Sequence, residues 1–448
     1  MSLPTRFPDR QEIAEVRAEA EALEPGREAG EKRRLAGRVL GRREHGKLTF
    51  LDLVDRSGTI QLLCAEERVG AVTVDLGDVV GVAGSPMRTR RGEPSLAVEE
   101  LQLLAKTKRP LPDTFHGLVD TETRYRKRYL DLLVNEETRR DFLLRTRMVA
   151  EIRRYLDERG FVEVETPILQ PRYGGALAEP FVTHHNELDS DLYLRIADEL
   201  YLKRLIVGGL EKVYEIGKDF RNEGLSTKHQ PEFTMLEWYE AYTDYKGTMD
   251  RIEDLIATVA RETVGTTRVT FRGHDIDLAP GWKRFRLEEA LEAEGVWSRD
   301  PDDLRARLTK RDVDTSKDDS WARLVDHALT HLVEPSLIEP TILFDYPVEL
   351  SPLARRKEGA EGIVERFEYF VGGIELGNAY TELTDPDEQA ARFAEQGGDG
   401  DPDYVEALSY GMPPTGGLGL GIDRLAMILT GREAIRDVIL FPLLRERD

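Results

Sequence analysis

The chain has 448 residues, a formal net charge of −22, 33% charged and 40% hydrophobic residues, and one cysteine. That length allows two or three domains with cores of their own. One cysteine excludes an intramolecular disulfide and a CxxC zinc site, and the acidic balance argues against a protein that coats nucleic acid through a general basic field.

The first residues, Met1 to Asp9, lack an apolar signal core, and no run approaches 18 apolar residues, so a cytoplasmic protein outside the membrane is expected. Residues 9–33 are charged and helix-favouring, too polar for a core helix, and predict an exposed helical extension over residues 1–33. Between 34 and 105 the pattern changes to short strands at 35–40, 48–53, 59–63, 79–84 and 95–98, which fit a small closed barrel. Cys64 reads as a small apolar residue of the third strand.

Residues 106–119, containing Lys106-Thr107-Lys108-Arg109-Pro110-Leu111-Pro112, break both periodicities and predict a linker. The basic run Arg124-Tyr125-Arg126-Lys127-Arg128 fits either a solvated helix face or an RNA-backbone contact. From 136 to 159, Phe142, Leu143, Met148, Ile152 and Tyr155 fall at helical spacings. That helix leads into the strand-like Gly160-Phe161-Val162-Glu163-Val164-Glu165-Thr166-Pro167. Over 120–448 helices alternate with antiparallel strands, which predicts an α+β body. No GxGxxG and no P-loop is present, so a nucleotide would be held by side chains on a sheet.

The most informative stretch is Phe220-Arg221-Asn222-Glu223-Gly224, followed after a polar loop by Phe233-Thr234-Met235-Leu236-Glu237-Trp238-Tyr239. The loop holds Lys228, His229 and Pro231. With a side-chain period of two, Arg221 and Glu223 share one face of the first strand, and Phe233, Met235, Glu237 and Tyr239 one face of the second. Such a hairpin aims a guanidinium, an aromatic ring and a carboxylate at one cleft. A planar cation suits phosphate or carboxylate; the ring suits a base and the anion an amine. An enzyme joining ATP to an amino acid needs that set, although a salt-bridged surface hairpin would read the same way.

Three segments in order, Gly160 to Pro167, Phe220 to Gly224, and Gly417-Leu418-Gly419-Leu420-Gly421-Ile422-Asp423-Arg424, resemble the motifs of class II aminoacyl-tRNA synthetases. Arg195-Ile196-Ala197-Asp198-Glu199-Leu200-Tyr201-Leu202-Lys203-Arg204 and Ser351-Pro352-Leu353-Ala354-Arg355 narrow the resemblance to the lysyl-tRNA synthetases. It runs from about Leu35 to Pro442, and HIGH-like and KMSKS-like signatures are absent. The resemblance implies an OB-fold anticodon-binding barrel followed by a class II catalytic domain, an antiparallel sheet flanked by helices. It also implies ATP, L-lysine and tRNA-Lys as partners, Mg²⁺ as cofactor, and a homodimer through the helix and strand of residues 136–167.

Adenylation joins two anions, so the site must supply fixed cations and metal rather than a nucleophile. Arg221 can bridge the substrate carboxylate and the α-phosphate, and Arg424 can reach the distal phosphates. The resemblance adds His229 at the phosphates, Phe233 stacked on adenine and Glu223 accepting from its amino group. Gly372-Gly373 makes a two-residue turn between Glu368 and Glu375. Phe370 then lies opposite Glu375, with Glu368 a diagonal neighbour at roughly 7–8 Å. Two such carboxylates can share Mg²⁺, with no soft ligand nearby. Asn378, Tyr380 and Glu382 share a face but are out of phase with Glu375, which a bulge at Gly377 would correct. Glu382 and Tyr239 are expected around the lysine ε-ammonium, Glu199 with the Gly175 backbone at the α-amino group, and Asn378 at the carboxylate. Glu237 lies between these roles. Such an acidic pocket would repel aspartate.

Position 179, Glu179, is acidic where many relatives are expected to carry arginine, and the loop over 395–405 is short for the family. In the barrel, Phe50 and Gln61 match the positions that grip the central anticodon uridine, with Arg43 nearby. Competing readings are a paralogue that lysylates an elongation factor, which would lack the barrel, and a catalytically dead RNA-binding relative, which would lack Arg221, Glu375 or Arg424. Diadenosine polyphosphate synthesis is a possible side activity.

Overall fold

The computed structural model describes residues 3–112, 117–176, 178–316, 320–395 and 400–446. The described residues up to Asn135 form one compact unit and those from Glu136 a second.

In the first unit β1 (Arg33–His45), β2 (Leu48–Val54), β3 (Thr59–Ala65), β4 (Val79–Arg88) and β5 (Pro94–Ala105) close a barrel in the order β1-β2-β3-β5-β4. Alternation along β2 and β3 sends Leu51, Leu53, Ile60, Leu62 and Cys64 into the barrel core. Burial pushes the Cys64 thiol up to about 12, so it stays an inert thiol. The N-terminal segment differs from expectation. Its helix, Ile13–Glu21, puts Ile13 and Val16 inside that same core and buries Ala20 fully. Three small apolar residues on one face suffice to dock a helix whose other faces are charged.

The basic run is not a free surface either. Arg124 Nε (2.9 Å) and Arg128 Nη1 (2.5 Å) both donate to buried Asp131, and Arg126 pairs with Glu122. Buried charges need such partners. At the start of the expected linker, Lys106 Nζ and the Thr107 amide donate to Asp78, each at 2.8 Å. The rest of that linker includes residues 113–116, which lie outside the described residues.

The second unit is built on β6 (Val162–Glu163), β7 (Leu169–Gln170), β8 (Val182–His185), β9 (Ser190–Leu194), β10 (Lys212–Phe220), β11 (Glu232–Ala241), β12 (Arg268–Phe271), β13 (His274–Asp277), β14 (Lys283–Arg286), β15 (Thr341–Pro347), β16 (Ile363–Val371), β17 (Ile374–Thr381) and β18 (Thr415–Gly421). Eight of them form one sheet in the order β14-β15-β16-β17-β18-β11-β10-β6. It is antiparallel except for the terminal pairs β14–β15 and β10–β6. One face packs under the helices Glu136–Asp157, Tyr245–Val264 and Ile422–Thr430, burying Met148, Ile152, Ile252, Ile256 and Leu425 against Leu236, Trp238, Leu376 and Leu420. The α+β expectation holds. The strand expected over 160–167 shrinks to Val162–Glu163, and Leu143, expected on the buried stripe of its helix, is 60% exposed.

The loop expected over 395–405 falls partly outside the described residues, at 396–399. A helix, Pro402–Ser409, begins within it, capped by the Asp401 side chain.

Candidate active site

With Leu236 and Trp238 turned to the core, β11 gives its other face to Phe233, Met235, Glu237 and Tyr239. Between β11 and β17 lies β18, whose residues on that face after Thr415 are the glycines Gly417, Gly419 and Gly421. Gly419 stands between Glu237 and Asn378, and Gly417 between Tyr239 and Tyr380. A Cβ on Gly417 would come 2.1 Å from Glu382 Oε1 and 2.4 Å from Tyr239 Cε1. The glycines therefore cut a trough that side chains of the flanking strands line. The glycine run is visible in the sequence, but its role as the floor of a trough is not.

The Gly372-Gly373 turn forms with both residues at positive φ, 64° and 69°, and Phe370 pairs with Glu375. Tyr369 pairs with Gly377 and Glu368 with Asn378, so the ladder shifts just after Glu375. The bulge thus falls one residue earlier than expected, at Leu376. It brings Glu375 into phase with Asn378 and Tyr380 on the trough face. Glu368 Oε2 accepts from Tyr346 at 2.9 Å and Oε1 from Arg366, while burial pushes its carboxyl up to about 7. Arg424 Nη1 donates to the Glu375 carbonyl at 2.7 Å and to its carboxylate at 3.2 Å. Among the described residues no cluster of three or more His, Cys, Asp or Glu could hold a metal. Two carboxylates that offer only oxygen fit a hard cation whose remaining positions are taken by phosphate and water.

Arg221 and Glu223 lie beyond the strand, not on it. The ladder closes with Phe220 opposite Glu232, and the Arg221 amide donates to the Pro231 carbonyl at 2.9 Å. Proline has no N–H to extend the pairing. Arg221 still reaches the cleft: its Cζ is 5.1 Å from the Phe233 ring centroid, and Nε donates to the Ile196 carbonyl at 3.4 Å. Glu223 is exposed at the loop. His229 Nε2 faces Arg424 Nη2 at 3.3 Å and Nδ1 faces Ser226 Oγ at 2.9 Å. Burial and the Arg424 guanidinium hold His229 below its ordinary value, so it is a neutral imidazole near neutral pH. The Asn222 amide donates to the Glu179 carbonyl at 2.7 Å, so Glu179 anchors this loop through its backbone.

At the inner end of the trough sit three buried acids, Glu199, Glu237 and Glu382. Glu199 opens the helix Glu199–Val207, with Gly175 (φ 88°) against its side chain. Tyr239 donates its hydroxyl to Glu237 Oε2 at 3.0 Å. Glu382 is fixed by its neighbours, the segment 351–355: the Arg355 amide donates to the Thr381 carbonyl at 2.8 Å and Leu383 to Leu353 at 2.9 Å. Burial raises all three carboxyls, Glu382 to about 8. Three cations lie among the acids of this region, Lys203 and Arg195 buried and Arg366 part-buried. Lys203 is ion-paired with both Glu199 and Glu382. Arg366 pairs with Glu368, and Arg195 holds Asp198 (2.9 Å), Glu215 (2.6 Å) and Asp219 (3.3 Å). None of these cations was singled out from sequence. The Glu199-x-x-x-Lys203 spacing was the available signal.

In the barrel, Arg43 pairs with Phe50 across β1 and β2, while Phe50 pairs with Leu63 and Asp52 with Gln61 across β2 and β3. All lie on the face opposite the buried Leu51 and Leu62, so Phe50 is half-buried surface, not core. Arg43 pairs with Asp52 at 2.9 Å, and Ser95 donates to Gln61 Oε1 at 3.2 Å.

The family model "tRNA synthetases class II (D, K and N)" matches residues 120–445, and "OB-fold nucleic acid binding domain" matches residues 34–104. A protein of Moorella thermoacetica named lysine–tRNA ligase is 50% identical over 439 residues, 94% of this chain and 90% of its own length. Its namesake from Carboxydothermus hydrogenoformans is 49% identical over 435 residues, 93% and 89% of the two chains. That of Synechococcus sp. is 48% identical over 461 residues, 98% and 94%.

Proposed function

This chain belongs to the class II tRNA synthetases and, within them, to the lysine–tRNA ligase family, and on that premise we propose how its residues divide the reaction. Lysine and ATP first give lysyl-adenylate and pyrophosphate. The lysyl group then passes from the adenylate to a hydroxyl of the terminal ribose of tRNA-Lys, forming an ester and releasing AMP.

The observation that carries the assignment is the buried acid group Glu199, Glu237 and Glu382 at the closed end of a glycine-floored trough. Glu382 and Tyr239 take the ε-ammonium, Glu199 and the Gly175 backbone the α-amino group, and Asn378 the carboxylate. Tyr380 lines the wall and Glu237 supports Tyr239. The open end holds ATP. Phe233 stacks on adenine, Glu223 accepts from its amino group, and Arg221 faces the carboxylate and the α-phosphate. Arg424 and neutral His229 face the distal phosphates. Glu368 and Glu375 would hold Mg²⁺, which supplies charge neutralisation on the phosphates.

Arg43, Phe50 and Gln61 form a contiguous outer patch of the barrel suited to stacking one base and reading its edge, the proposed anticodon contact. A homodimer is supported by the exposed apolar Leu143, Val162, Ile168, Leu169 and Val182, on or near the helix Glu136–Asp157 and the strands that follow it. Among the described residues no helix is long and apolar enough to cross a membrane; the proposed site of action is the cytoplasm, where tRNA is charged.

Charging of purified tRNA with labelled lysine tests the reading. Lysine should be esterified to tRNA-Lys and to no other tRNA. Adenylate formation without transfer to any tRNA would count against it.

A further inference from the structure

Lys203 lies one turn after Glu199 on the helix Glu199–Val207 and is wholly buried. Its ammonium touches Glu199 Oε1 and Glu382 Oε2 and stands 5.8 Å from the centroid of the Tyr239 ring. The charged and titratable groups around this cluster are Glu199 from the same helix, Glu382 after β17, Tyr380 of β17, Tyr239 and Glu237 of β11, Tyr404 of the helix Pro402–Ser409, and Arg366 of β16 acting on Glu199. Each acid spends one oxygen on Lys203. The other oxygens point elsewhere: Glu382 Oε1 lies 2.1 Å from where a Cβ on Gly417 would stand, and Glu199 Oε2 lies 3.8 Å from that of Gly175. Neither oxygen of buried Glu382 has a hydrogen bond among the described residues; Oε2 is held by the ion pair to Lys203, and Oε1 has no such pair.

We propose that Lys203 is a positioning residue of the amino-acid site, a built-in ammonium that clamps Glu199 and Glu382 so that each turns its second oxygen to the substrate. The inference rests on the lysine-pocket reading above. Two buried carboxylates with no cation between them hold a shared proton, as carboxylate dyads do. A protonated carboxyl presents a donor where the substrate ammonium needs an acceptor. Lys203 pulls both acids toward ionisation against their burial, and the fully ionised pair with Lys203 carries one net negative charge, enough for one incoming ammonium. Without Lys203 the pair keeps its proton to higher pH, and lysine must displace that proton over a wider pH range.

The test uses the full chain in lysine-dependent ATP–pyrophosphate exchange. Lys203→Ala leaves room for an alkylammonium beside the two acids. KM for lysine should rise by roughly 10²-fold or more, the scale of a broken buried pair, with KM for ATP unchanged. Added butylammonium should restore the lysine KM, and butanol should not. Lys203→Met keeps the volume without the charge, so the rise of kcat/KM for lysine with pH should move up by about one pH unit or more. Lys203→Arg, which keeps the cation, should leave that profile in place. An unchanged lysine KM, equal losses for lysine and ATP without amine rescue, or an unshifted profile in Lys203→Met would each overturn the proposal. If Lys203→Ala does not fold, the Met profile decides. Absence of lysine-dependent exchange in the unmodified protein would instead refute the functional reading itself.

Discussion

Arg424 grips Glu375 twice, at its backbone carbonyl (2.7 Å) and at its carboxylate (3.2 Å), while its other terminal nitrogen faces His229 at 3.3 Å. The proposed phosphate cation and one proposed Mg²⁺ ligand are thus prearranged against each other. Glu375→Gln keeps the carbonyl acceptor but loses the charge. The Mg²⁺ concentration for half-maximal exchange should then rise at least about fivefold, the effect of losing about 1 kcal/mol of ligand interaction, with lysine affinity unchanged. An unaltered Mg²⁺ dependence would remove Glu375 from the metal site.

Arg221 stands over Phe233, at the proposed junction of the two substrates. Arg221→Ala removes a cation that counts most when charge builds on the α-phosphate. Loss of such a donor costs about 10²–10³ in rate. Exchange within tenfold of the unmodified protein would show that Arg221 does not face the reacting phosphate.

Gly417→Ala tests the floor of the trough. The new methyl would stand 2.1 Å from Glu382 Oε1 and 2.4 Å from Tyr239 Cε1. Overpacking of this kind costs about 1–3 kcal/mol, so KM for lysine should rise about 5–150-fold. KM for ATP should hold. Equal changes in both constants would mean that the sheet itself has moved.

Burial holds Glu382 at about 8 and raises Glu199 and Glu237 in the lysine-free protein. An arriving ammonium favours their ionised forms, so binding releases protons and lysine affinity should increase from about pH 6 to pH 8. The stability sign is consistent. A carboxyl raised in the folded state loses its stabilising contribution as pH climbs through the folded value, so the gain in Tm on adding lysine should widen with pH. Calorimetry in buffers of different ionisation enthalpy reads the proton count. Proton uptake, or none, would contradict the burial account.

How much of this was legible depended on whether a residue's partner lay nearby in sequence. The Gly372-Gly373 turn and the phase shift beside Glu375 follow from strand periodicity and turn chemistry, whereas the outward face of Phe50 and Gln61 was chosen over the barrel core by the family resemblance. Ile13, Val16 and Ala20 were present as a stripe, but the charges between them hid how little apolar surface a docked helix needs. Arg128 fitted a solvated helix face, and Lys203 entered only as part of the 195–204 motif, with no role of its own. Only the fold brings Lys203 to Glu382, and only burial turns Asp131 into the partner of Arg124 and Arg128. Arg221 moved from strand to loop because Pro231 ends the ladder opposite it.

Phe50→Ala separates the two units' tasks. Stacking on an aromatic is worth about 1–3 kcal/mol per base, so kcat/KM for tRNA charging should fall about 5–150-fold. Lysyl-adenylate formation without tRNA should be intact. Parallel loss in both assays would make Phe50 a folding residue.

The central claim is that the acids at the end of the trough select lysine, and pyrophosphate exchange with each of the twenty amino acids tests it most directly. Only lysine should drive exchange above background, and Glu382→Gln, which breaks the buried pair, should cut kcat/KM for lysine by roughly 10²–10³ while sparing ATP. Exchange driven by aspartate or asparagine, or a Glu382→Gln variant that activates lysine normally, would contradict the account.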